Sequence, residues 1–277
     1  MNRENRGLYR SAGRAFALLA LGTGLFAAVG CDDKPPPPAV VIAPAATALA
    51  PAKPAAMGAV KLAIQKAPSK IDFMMAAPKE KIHGTANDST TGDLNVDPND
   101  LTKSTGLITI DISGLEIFQA VAADSDGKFA PETKSDAQNK HARIWLEISD
   151  DAPADKRAEY SKVQFSIKSI DVAGEKSLTK MTGAERKVLL TAKGEFLLHG
   201  HKADKTVELA ATFKVEGEKI VSVSVTTVKP IPVDLAEFDV KPRDAFGRFA
   251  SKTLDVLSPK VNKEALVSIN FTAKAMP

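Results

Sequence analysis

The chain is poor in the residues that most chemistry uses. Its 277 residues include one cysteine, Cys31, one tryptophan, four histidines, and aromatics amounting to 5% of the total. A lone cysteine excludes an intrachain disulfide framework and any metal site built on several thiolates. There is no G-x-S-x-G elbow, no P-loop, no G-x-G-x-x-G fingerprint and no H-E-x-x-H. No catalytic residue is nominated, no cofactor is expected, and the reading is that of a non-enzyme. The four histidines, His83, His141, His199 and His201, include one close pair. His199 and His201 would share a strand face, but His201 falls in a stretch read as a turn and no fixed-spacing carboxylate accompanies them, so no metal is assigned. His199 is read as a hydrogen-bonding residue at a sheet end. Asn95, Asp97, Asn99 and Asp100 hint at a calcium loop, but its sixth position is Asp100 where Gly is needed and its twelfth is Gly106 rather than Glu. Those residues read as a polar loop.

Net charge is also lacking once the N-terminus is set aside. Residues 1–30 carry Arg3, Arg6, Arg10 and Arg14 against Glu4, then the apolar run Ala15–Val29 and Gly30. A basic head, a short apolar stretch and small residues before a cut make a secretory signal peptide. Fifteen apolar residues are fewer than the about 20 that cross a bilayer. Ala28-Val29-Gly30-Cys31 resembles the lipobox of bacterial lipoproteins, with Ala28 where Leu is usual, so Cys31 is expected to become the lipidated first residue of the mature protein. An ordinary signal peptide cut nearby, with Cys31 left as a thiol, is the alternative. Beyond residue 30 the chain has 33 basic and 33 acidic residues. That balance gives no bulk attraction to phosphate, and no nucleic-acid partner is expected. The expected place is the cell envelope, anchored to a membrane through the N-terminus and facing the periplasm.

Residues 31–57 hold the cysteine and then an Ala/Pro-rich segment with seven of the seventeen prolines. It should behave as a semi-extended tether with a reach of at most roughly 80 Å. From residue 58 to 277 the dominant pattern is period-2 alternation. Ile108, Ile110 and Ile112 form one such series; Val163, Phe165 and Ile167 another; then Val207–Val215, Val221–Val225 and Val267–Ala273. Each series predicts a strand with one buried face in an antiparallel sheet. Gly200–Asp204 and Glu216–Glu218 read as turns between consecutive strands. The segment 187–199 has adjoining leucines at 189–190 and 197–198, which points to apolar surface on both faces. Ser135 with Gln138 is a capping-box pattern that starts a helix over 135–149, with His141, Ile144, Trp145 and Ile148 on one face. A strand from Arg143 competes with it. A second short helix is expected around 154–158.

Several segments together carry a family resemblance. Gly92–Asp97 followed by Gly106–Asp111, Tyr160–Phe165, Gly194–Gly200, the Arg243/Phe246/Gly247 element and Val267–Ala273 resemble, in that order, motifs of YceI-like domains. The departures are Ser161 in place of a proline, a polar insertion around 122–140, and Lys202-Ala203-Asp204 at a turn. The resemblance implies an all-β fold, an extended lipocalin-like eight-stranded antiparallel barrel with one or two short helices. It also implies a ligand that is an isoprenoid or other long-chain lipid. The inward series nominate Ile110, Phe165, Phe213, Val223 and Phe271 as barrel lining. An eight-stranded barrel holds either packed side chains or one small ligand. The filled version would be a structural or protein-interaction module of the envelope.

Overall fold

The computed structural model describes residues 48–49, 54–77, 79–122, 128–241 and 264–276. The signal peptide, Cys31, most of the tether and the Arg243/Phe246/Gly247 element lie outside them. Among the described residues, thirteen strands and two α-helices follow in chain order: β1 (Val60–Ile64), β2 (Lys70–Ala77), β3 (Glu80–Asn87), β4 (Thr90–Val96), β5 (Thr105–Asp111), β6 (Glu116–Val121), β7 (Thr133–Lys134), α1 (Asp136–Trp145), α2 (Ala154–Tyr160), β8 (Lys162–Ala173), β9 (Glu185–Leu198), β10 (His201–Glu216), β11 (Lys219–Thr227), β12 (Ile231–Asp234) and β13 (Glu264–Ala275).

Eight of the strands close a ring in the order β1-β4-β5-β8-β9-β10-β11-β13, and β13 returns to β1 through Leu62↔Ala275 and Ile64↔Ala273. Every pairing is antiparallel. The all-β expectation and the eight-stranded barrel are both realised, as are the two short helices.

The other strands carry this ring into a second tier. β13 pairs with β1 through Ala273–Ala275 and with β2 through Leu266–Asn270, so β2 continues β1 along the same edge. In the same way β3 extends β4, β6 extends β5 beyond a 3₁₀ turn at Ile112–Gly114, and β12 extends β11. Among the described residues, the second tier is not closed by strands alone. Outside β6 stands the two-residue β7, and α1 packs against β6 while α2 packs against β8.

Helix α1 forms because Ser135 caps it, its Oγ accepting from Gln138 N at 3.3 Å, with Asp136 in the first turn and Arg143 in the last. It docks by imitating a strand. The Asn139 amide accepts from Ile117 N and donates to Ile117 O, each at 3.0 Å. Arg143 donates to the carbonyls of Ser113 and Leu115. The helical reading of 135–149 therefore holds over 136–145, and the competing strand does not form.

One turn assignment and one strand series change. The β9–β10 connection is His199-Gly200, with φ of 50° and 74°, and β10 begins at His201. Positive φ at both central residues is what a two-residue type I′ hairpin requires, and Gly200 supplies it cheaply. Lys202–Asp204 lies within the strand. In β11 a bulge leaves Val221 without a partner between Val215↔Ile220 and Lys214↔Ser222. Ile220, Val223 and Val225 are therefore the buried residues, and Val221 leaves the alternating series.

Candidate functional site

The interior is uneven. In the first tier Leu62, Ala211, Phe213, Val223 and Ala273 are at most 3% exposed. Leu101 and Leu178, from 3₁₀ turns in the β4–β5 and β8–β9 connections, are also buried. A void of only about 60 Å³ remains there, lined by Leu94, Ile170, Phe213 and Val223 among others. In the second tier a cavity of about 400 Å³ opens, within the range of small-molecule sites.

Its wall is almost wholly aliphatic and aromatic. Ile108 and Ile110 come from β5, Val163 and Phe165 from β8, Phe196 and Leu198 from β9, and Val267, Ile269 and Phe271 from β13. β2 and β3 add Phe73 and Ile82, and α1 presents Gln138, His141, Ala142 and Trp145, one helical face. None of the residues of α1 is fully buried; Ala142 and Trp145 pack against the core and also line the cavity.

Two rings are seated on glycines. A Cβ on Gly84 would stand 2.0 Å from the Phe73 ring, and one on Gly194 would stand 2.6 Å from the Phe165 ring. Both rings occupy space that a side chain at those positions would need.

The polar groups on the wall are few, and several engage one another. Glu80 Oε1 accepts from Gln119 at 2.5 Å and from Gln138 at 3.0 Å. Lys205 Nζ donates to Glu237 at 2.6 Å and sits 5.3 Å from the centre of the Phe238 ring. Gln164 donates to Thr109 Oγ1 at 3.2 Å and accepts from the backbone N–H of Leu49 at 2.8 Å. Leu49 is 5% exposed, although it belongs to the Ala/Pro-rich segment. A cavity of this kind favours a molecule that is mostly hydrocarbon, since a buried polar ligand group without a partner costs free energy.

Of the nominated lining residues, Ile110, Phe165 and Phe271 stand on the wall of the large cavity. Phe213 and Val223 face the small void in the packed tier instead. They obey the same inward alternation but lie further along their strands. Sequence reasoning missed Phe73, Ile82, Phe196 and Lys205. The alternation of Ile71, Phe73 and Met75 was available as a signal for the first of these.

Outside the cavity, the Asn95–Asp100 stretch holds itself together as a loop. Asp97 Oδ1 accepts from the backbone N–H groups of Asn99 and Asp100. The Thr102 hydroxyl, its leading partner, holds the Asp100 carboxyl below the usual carboxylate range. The histidine pair has a different fate from the one its turn assignment implied. His199, His201 and Asp239 offer one ligand atom each, all within 4.8 Å of one another. The carboxylate comes from a segment forty residues away, which no local spacing could show.

No family model matches the chain, and no curated protein matches its sequence. Among solved structures it is similar to a polyisoprenoid-binding domain from Saccharophagus degradans described as implicated in plant cell wall breakdown. The identity is 13% and the TM-score 0.46, over 79% of this chain and 99% of that one. It is also similar to BcnA of Burkholderia cenocepacia, at 14% identity and a TM-score of 0.44, over 76% and 99% of the two chains. In its ordered motifs and its closed eight-stranded barrel, the chain is similar to YceI-like domains.

Proposed function

We propose that this protein is a lipid-anchored carrier of the cell envelope that holds a long-chain apolar molecule, such as a polyisoprenoid or another amphiphile, without catalysis. The observation that carries this reading is the apolar cavity of about 400 Å³ in the second tier. Burying a hydrocarbon chain there contributes roughly 25 cal/mol per Å² of apolar surface removed from water. The partnered polar groups Glu80, Gln138 and Lys205 stand on the same wall and can meet a ligand's polar end. The anchor rests on Cys31 and the residues before it: the lipidated cysteine places the barrel against a membrane and facing the periplasm.

The test is extraction and native mass spectrometry of protein purified from membranes. A bound lipid, and a gain of about 2.7 kcal/mol in unfolding free energy at polyprenyl concentrations 100-fold above Kd, are the expected results. Protein that carries no lipid and gains no stability from polyprenyl compounds refutes the carrier and leaves the barrel as a structural or interaction module. For the anchor, Cys31→Ala should abolish palmitate labelling and membrane fractionation. Continued labelling refutes it.

A further inference from the structure

Four non-glycine residues adopt positive φ among those described, and three of them meet at one place. Glu147 follows the end of α1 with φ 54°, His199 opens the β9–β10 turn with φ 50°, and Asp239 ends the 3₁₀ turn Leu235–Phe238 with φ 53°. Such positions are usually filled by glycine or asparagine, because a Cβ is strained there. Here each carries a metal-ligating side chain instead, and strain of this kind collects where side chains have work to do.

His199 links them. Its ring is 2% exposed and lies 4.2 Å, centre to centre, from the ring of Tyr160. Nδ1 lies 3.1 Å from the Phe238 carbonyl, and since a carbonyl only accepts, Nδ1–H donates. Nε2 faces Glu147 Oε2, also at 3.1 Å. Glu147 thus sets a carboxylate beside the ring nitrogen opposite the one that donates to Phe238. A ring whose one N–H is fixed on a backbone carbonyl is the usual arrangement of a metal-bound histidine. His201 enters from the first residue of β10, its ring centre 6.2 Å from that of His199. Asp239 completes the group of three ligand atoms within 4.8 Å of one another. Bonds of about 2.0–2.1 Å in a tetrahedron put ligand atoms about 3.3 Å apart, so closing around an ion asks for side-chain movements of under about 1 Å. Lys241 Nζ lies 2.5 Å from Asp239 Oδ1, and an incoming cation would compete with it.

We propose that His199, His201 and Asp239 form a binding site for a transition-metal dication of the zinc class, with Glu147 adding negative charge beside His199. Two imidazoles and a carboxylate suit Zn(II) or Co(II) better than Ca(II) or Mg(II), which prefer oxygen alone. Three protein ligands leave one position of a tetrahedral ion for water. The site also borders the cavity. Leu146, Leu198 and Val240, each the chain neighbour of one strained residue, line the cavity wall. A bound ion would therefore tie together three separate stretches of that wall.

The experiment is Zn(II) titration by calorimetry, with Co(II) absorption as the spectroscopic readout, on metal-free full-length protein carrying Cys31→Ser to remove the only thiol. One saturable equivalent and the visible bands of four-coordinate Co(II) are expected. His201→Ala and Asp239→Asn should each weaken binding at least about 10-fold while circular dichroism stays unchanged. Asp239→Asn is isosteric, so it carries the test if His201→Ala misfolds. Absence of saturable binding, or equal binding by the parent and a folded Asp239→Asn variant, overturns the proposal.

Discussion

The two tiers of this barrel are built from the same kind of strand and end with opposite interiors. β10 contributes Val207 to the cavity and, four and six residues on, Ala211 and Phe213 to the packed tier. β13 does the same with Val267 and Ile269 against Ala273. Residue type does not separate the halves. The perimeter does. Where eight strands close on themselves and Leu101 and Leu178 block the end, side chains fill the space. Where the ring is extended by β2, β3, β6 and β12 and completed by α1, the same alternation lines a void.

Mutations can break that contrast. The largest effect is expected from Phe213→Ala, which should cost about 3–5 kcal/mol in urea unfolding because the well-packed tier cannot collapse around the loss. Phe165→Ala, on the wall of an existing cavity, should cost clearly less and enlarge the space for ligand. Equal losses at the two positions would show that the second tier is as full as the first. Adding volume should reverse the order. Ala273→Leu, at a position that is 0% exposed, should destabilise by about 1–3 kcal/mol. Ala142→Leu, on the cavity face of α1, should leave stability nearly unchanged and reduce lipid uptake.

A smaller loss, about 1 kcal/mol, is expected for Ser135→Ala, which removes the N-cap of α1. Faster amide exchange confined to α1 would identify that helix as the weaker part of the cavity wall. The smallest effect concerns Asp111. Burial pushes its carboxyl up, but hydrogen bonds from Lys162 and Ser113 together with the Lys162 charge outweigh this and hold it below the ordinary value. A lowered folded-state value means the carboxylate stabilises the protein above the unfolded range near pH 4. That contribution is lost as pH falls through the lowered value. The stability gap between the parent and Asp111→Asn should therefore shrink on acidification; a gap independent of pH would contradict the assignment.

Much of the wall was legible in the sequence, for a local reason. Alternation at Ile108–Ile110, Val163–Phe165 and Val267–Phe271 reports which residues face inward, and Ser135 with Gln138 reports where α1 starts. What alternation does not encode is the height of a residue in the barrel, which depends on register. Phe213 and Val223 face inward and still miss the cavity for that reason. The bulge at Val221 is a one-residue slip against Ile220, with no glycine or proline to mark it. The grouping of His199 and His201 with Asp239 was hidden twice over. The turn falls at His199-Gly200 rather than across Gly200–Asp204, and the carboxylate arrives by a long-range contact.

The backbone bond from Leu49 to Gln164 changes how far the barrel can stand from whatever holds its N-terminus. A tether running to residue 57 would have a contour of roughly 80 Å. Seventeen residues separate Cys31 from Leu49, and at about 3.1 Å each they reach at most about 53 Å. If Cys31 carries the proposed lipid, that bound is about a third shorter than one counted to residue 57. The bond and the leucine meet the barrel on β8, which carries Val163 and Phe165 on the cavity.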